Sequence, residues 1–141
     1  MKIEIINQQK IKRVNLTELE RCIGYVLKTL GRSKAEISVI LCDNTFIKKI
    51  NRRFFNKRSV TDVIAFGFDD KFNKNNLGEI IVSVEEALVQ APKYGNTFKK
   101  EFVLYVVHGI LHLIGYDDLT EKKYKIMAAK QDELVGRIFK N

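Results

Sequence analysis

The chain has 141 residues, 45% apolar and 30% charged, a composition that suits one globular domain and excludes a disordered or fibrous protein. Lysine and arginine number 25 against 17 acids, and the net charge of +8 inclines the surface toward a polyanion such as nucleic acid. No apolar run has signal-peptide form or bilayer length, and Cys22 and Cys42 lack any CxxC spacing, so buried thiols in a reducing cytoplasm are expected.

The opening segment KIEIIN alternates apolar and polar residues and predicts a first strand. In NLTELERCIGYVLKTLG the apolar residues Leu19, Cys22, Ile23, Val26, Leu27 and Leu30 share one helical face. Asn15 with Glu18 caps its start, and Gly31 stops it. EISVILC is a second strand, closed by Asp43 and Asn44. TFIKKINRRFF follows as a short helix with Phe46, Ile47, Ile50 and Phe54 directed inward.

DVIAFGF and GEIIVSV are two further strands, separated by the polar loop DDKFNKNNL. Ser83 with Glu86 caps a helix through EEALVQA. Lys99 to Gly115 is a strongly apolar, central helix, and the last helix runs from about Thr120 to Lys140 with Tyr124, Met127, Leu134 and Ile138 on its apolar face. Repeats and low-complexity tracts are absent, and the single proline, Pro92, marks no linker, so residues 1–141 are expected to form one domain. Strands alternating with helices, then helices alone, predict an α+β or mixed α/β layered arrangement.

The only two histidines, His108 and His112, lie four residues apart in the central helix. That spacing projects both imidazoles from one face, one turn apart, where they can converge on a metal ion. The other reading is a pair of satisfied core histidines. A zinc ion in a catalytic site takes three protein ligands and keeps a position for water. Gly115 allows the chain to turn back past the helix end, bringing Asp117 and Asp118 toward the metal. Asp118 with Glu121 also matches a helix capping box, and the two roles stand equal on spacing alone. Gly109 occupies the position where H-E-x-x-H proteases carry their catalytic glutamate. Water must then be activated by the metal, or by a base such as Glu101, two turns before His108. Glu101 could equally serve only to favour the helix start.

IKKINRRFFNKR places Lys48, Lys49, Arg52, Arg53, Lys57 and Arg58 beside Phe54 and Phe55. Such a stripe is either a solvated helix face or a surface that binds phosphates and stacks unpaired bases. Exposure of Phe55 separates the two.

The segment HGILHLIGYDD resembles the signature of the YbeY family of bacterial metal-dependent endoribonucleases, H-G-x-L-H-L-x-G-Y-D-H, and departs from it only at the last position. TDVIAF is similar to the family's P-T-D-V-L-S-F, LGEIIVS to its G-D-I-V-I-S strand, and Glu101 falls on the glutamate that commonly precedes the histidines. The resemblance runs from about Asn51 to the end. It implies an α+β domain with a mixed sheet of about four strands and helices packed on it, the metal site lying on a buried helix.

It further implies one divalent ion, zinc by its ligands, held by His108, His112 and Asp118, with metal-bound water as the attacking group. Arg52, Arg53, Lys57 and Arg58 are the expected RNA-binding residues. The implied function is single-strand-specific RNA hydrolysis in maturation of the small-subunit rRNA 3′ end and in ribosome quality control. The expected partners are rRNA precursor and ribosome, without a membrane, for a monomer or small homo-oligomer. A non-catalytic rRNA-binding protein with a structural metal, or a metalloprotease, is the alternative.

Two departures bear on chemistry. Asp118 stands where the family has its third histidine, making the site one unit less positive, which predicts a less acidic bound water and wider tolerance of manganese or iron. The family's arginine, six residues before the threonine of its P-T-D segment, corresponds here to Phe55, and Val60 replaces the proline.

Overall fold

The structure, a computed structural model, describes residues 1–68 and 71–140. Four strands, β1 (Lys2–Asn7), β2 (Glu36–Cys42), β3 (Val63–Gly67) and β4 (Asn76–Ser83), form one sheet in the order β1-β2-β4-β3. β1 runs parallel to β2 and β2 parallel to β4, while β3 pairs antiparallel with β4 as an edge strand. The expected mixed sheet of four strands is therefore present. β2 and β4 lie in the middle, and their near-continuous apolar sequence reflects burial on both faces. Asp69 and Asp70, part of the expected polar loop, lie outside the described residues.

Five α-helices dress the sheet: α1 (Leu16–Thr29), α2 (Asn44–Phe55), α3 (Val84–Gln90), α4 (Phe98–Leu113) and α5 (Glu121–Ile138), with a 3-10 turn at Ala91–Tyr94. The main core joins α1, α3, α4 and α5 to one face through Ile37, Val39, Leu41, Ile80 and Val82. A smaller core under α2 joins Ile47 to Cys42, Ile64 and Ile81 on the other face. The result is a layered α+β domain. No helix among the described residues is long and apolar enough to cross a membrane.

Helix ends follow local chemistry. Asn15, Asp43, Ser83, Thr97 and Thr120 each cap a helix by accepting a backbone N–H from the first turn. α4 is apolar nearly all round because the sheet, α1, α3 and α5 enclose it. Burying each of its large side chains, such as Phe102, Ile110 and Leu111, contributes roughly 1.5–3 kcal/mol. At Gly109 the helix comes so close to the sheet that a Cβ would stand 3.0 Å from methyl groups of both Ile80 and Val63. Gly78, at φ +124°, is equally constrained, since a Cβ there would collide with the carbonyl of Phe66.

Three orientations differ from expectation. Phe54 is 57% exposed rather than inward, meeting the edge strand only through the rim of the Phe66 ring. The inner face of α2 carries Asn51 instead, whose amide donates to the Ser59 carbonyl at 3.0 Å. Tyr124 is likewise exposed; Met127, Leu134 and Val135 are the buried residues of α5. Cys42 is buried, but Cys22 only half so.

Candidate metal centre and adjoining cleft

His108 and His112 leave α4 on one side, both half-buried, and their Nε2 atoms stand 3.1 Å apart. The rings meet edge-on, with centroids 4.7 Å apart and planes at 76°. α5 fixes the first ring, because Gln131 Oε1 lies 2.8 Å from His108 Nδ1. An amide oxygen only accepts, so Nδ1 carries the proton and Nε2 presents its lone pair. The 3.1 Å contact is then a single N–H of His112 donating to His108. Burial first, and the neighbouring His108 second, lower the pKa of His112 below 6.5, against the opposing fields of Asp118, Asp117 and Asp62. His112 is thus shifted toward the neutral form that ligates metals, and the two Nε2 atoms converge on one point. A divalent cation held by these two rings would replace the proton they share.

The third expected ligand is placed differently. Gly115 at φ +106° ends α4, and the Tyr116 N–H returns to the Leu111 carbonyl at 3.0 Å, so the chain does turn back as expected. Asp117 is engaged locally: its Oδ1 accepts from the Leu119 N–H at 3.0 Å and its Oδ2 pairs with Lys123 at 3.5 Å. The cap of α5 is Thr120, whose Oγ1 accepts from the Lys123 N–H at 3.1 Å, so Asp118 does not fill the capping role. Asp118 is exposed, and its field reaches His112. Among the described residues no three histidine, cysteine or acidic side chains stand close enough to hold an ion. The structure therefore brings two donors together and leaves the carboxylate near them, outside a closed set.

Glu101 is 4% exposed, on α4. Its carboxylate accepts from the Asn96 side-chain amide, 2.8 Å away, and from the Tyr105 hydroxyl. Burial, followed by Glu101, raises the pKa of that hydroxyl. Glu101, Tyr105, Asp62, Glu86, Asn96 and Tyr94 line a cleft of about 510 Å³ that opens one helical turn before His108. The cysteines are remote from this chemistry; burial pushes Cys42 up to about 12 and Cys22 to about 11.

Arg52, Arg53, Lys57 and Arg58 are all exposed, as are Lys48 and Lys49, and none of the six pairs with an acid among the described residues. Phe55 is 46% exposed and stacks on Phe66 with centroids 5.9 Å apart, while Phe54 meets the same ring edge-on at 5.4 Å. The strip lies on the α2 face of the sheet and the histidines on the α4 face. Edge strand β3 joins them, with Phe66 turned to α2 and Val63 to Gly109.

Sequence reasoning missed Gln131, Phe66 and Tyr94. Gln131 had a signal: it lies four residues after Met127 and three before Leu134, a polar residue on the buried face of α5.

A layered α+β domain with paired imidazoles on its core helix and an unpaired cationic edge defines a class suited to acting on polyanions. The sequence profile described as Endoribonuclease YbeY matches residues 4–138. A Petrotoga mobilis protein named Endoribonuclease YbeY is 32% identical, covering 100% of this chain and 98% of its own length. A Macrococcus caseolyticus protein of the same name is 36% identical, covering 94% and 91%. A Thermotoga maritima protein of known solution structure superposes with a TM-score of 0.71 at 31% identity, covering 97% of this chain and 89% of that one. The chain belongs to the YbeY endoribonuclease family.

Proposed function

We propose that this chain is a metal-dependent endoribonuclease that cuts single-stranded RNA, acting in the cytoplasm on the small-subunit rRNA 3′ end and in ribosome quality control. The observation that supports the metal site is the convergence of two imidazole Nε2 atoms at 3.1 Å, one ring held by Gln131. The RNA substrate follows from the curated relatives, which are named endoribonucleases. The rRNA and ribosome assignment rests on the signature in HGILHLIGYDD.

In this reading His108, His112 and Asp118 hold one divalent ion, most simply zinc. An ion held there would supply Lewis acidity, the chemistry that activates water near neutral pH and offsets charge on a phosphate oxygen. Asp118 is left without a capping duty, exposed and close enough to act on His112, which suits a ligand delivered by the loop after Gly115. Glu101 is engaged by Asn96 and Tyr105, so its carboxylate is not free to serve as the base. Arg52, Arg53, Lys57 and Arg58 hold the phosphates, and Phe54 and Phe55 offer faces for unpaired bases. The protease alternative is disfavoured by Gly109, whose contact with Ile80 and Val63 leaves no space for a glutamate side chain.

The test is cleavage of single-stranded RNA, duplex RNA and casein, each with and without chelator. Single-stranded RNA alone should be cut, and chelation should abolish cutting. Asp118→Ala should remove both activity and bound metal, and Asp118→His should retain the metal. RNA cleavage that survives chelation or Asp118→Ala overturns the mechanism.

A further inference from the structure

The cleft beside the histidines has a charge opposite to the surface that would hold RNA. Its walls carry Asp62, Glu86 and Glu101, while the strip on α2 carries six unpaired cations. A phosphodiester cannot settle among carboxylates, but a neutral base that offers N–H donors can. The volume, about 510 Å³, falls in the range of small-ligand pockets.

The free groups narrow the choice of base. Glu101 is consumed by Asn96 and Tyr105, and Asp62 Oδ1 by the Val63 N–H at 2.7 Å and the Thr61 hydroxyl. The Glu86 carboxylate has no hydrogen-bond or ion-pair partner among the described residues, although its own N–H is taken by Ser83 at 3.1 Å. Tyr94, at the cleft's lip, is 70% exposed, a poor state for an aromatic ring with nothing to cover it. The cleft therefore offers one stacking face and one open two-oxygen acceptor. Guanine is the base that presents two adjacent donors, N1–H and the N2 amino group, to such an acceptor; adenine, cytosine and uracil each present one donor on that edge.

We propose that this cleft is a base subsite, in which Glu86 reads guanine and Tyr94 covers the ring, placing a guanosine next to the histidine pair. The placement beside the histidines rests on the nuclease reading; binding of the base does not. Asp62 lies at the cleft and its field also reaches His112, and Leu104 and Tyr105 of the cleft lie one helical turn before His108 on α4.

The experiment uses the full chain and the four plain nucleosides, which carry no phosphate, in NMR titrations. Guanosine should bind at least about tenfold more tightly than the other three, with shifts centred on Glu86, Tyr94 and Asn96. Glu86→Gln keeps size and removes the two-oxygen acceptor, so it should level the four affinities while leaving the thermal midpoint unchanged. Tyr94→Ala should weaken all four together. Equal binding of the nucleosides by the unaltered protein, or guanosine shifts elsewhere on the surface, overturns the proposal. A parallel assay cleaves a uridine-rich oligonucleotide bearing one variable base. Guanosine binding without cleavage would sink the nuclease reading and leave the subsite standing. Cleavage indifferent to the base, with no guanosine preference in binding, would do the reverse.

Discussion

Gln131 acts on His108 through one hydrogen bond of 2.8 Å, and that bond decides which ring nitrogen keeps a lone pair. Gln131→Leu should mix the two tautomers, visible in nitrogen-15 spectra of the metal-free protein, and weaken zinc binding by roughly 10–100-fold. Gln131→Glu should restore the tautomer. His112 predicts a pH effect of definite sign. Its folded pKa lies below the usual 6.5, so between those values the unfolded chain binds a proton that the folded chain refuses. Stability of the metal-free protein should therefore fall as pH drops through 6.5 and level off below the folded pKa. Urea unfolding across that range checks it, and His112→Gln should flatten the response. At this scale the sequence was informative where spacing alone fixes geometry, as in the i, i+4 histidines. It was silent where the partner arrives from another helix, as Gln131 does, and ambiguous where one aspartate suited two roles until Thr120 proved to be the cap.

Among the elements, α4 has the tightest fit. A Cβ at Gly109 would come within 3.0 Å of two β-branched side chains, whose stiff χ1 leaves little room to yield. Gly109→Ala should cost about 1–3 kcal/mol of overpacking against about 1 kcal/mol gained in helix propensity, a net loss readable in denaturant unfolding. Most elements were legible from periodicity and caps, with ends displaced by a residue or two. Strand order was not, because β2 and β4 pair across more than thirty intervening residues, and no local signal carries that. The outward turn of Phe54 escaped notice for a related reason. Helical spacing assigns a side chain to a face, yet whether that face has a sheet beneath it depends on where the helix stops.

For the molecule as a whole, an excess charge of +8 with six unpaired cations on one strip predicts strongly salt-dependent RNA affinity. In a plot of log affinity against log salt, each phosphate contact removed should flatten the slope by roughly 0.7, so Arg52→Ala with Arg53→Ala should flatten it by about 1.4. Fluorescence anisotropy over a salt series measures this.

The strand order has one more consequence. β2 sits between a neighbour that precedes it and one that follows more than thirty residues later, and the apolar helix that roofs both comes later still. During synthesis the amino-terminal half must wait with its central strand half-paired and one side bare to water, since long-range pairing brings no gain until its partners exist. Folding thus waits for the segment bearing the two imidazoles and the helix after it, and a nascent chain cut short of residue 98 should be prey for chaperones and proteases rather than a partly working enzyme.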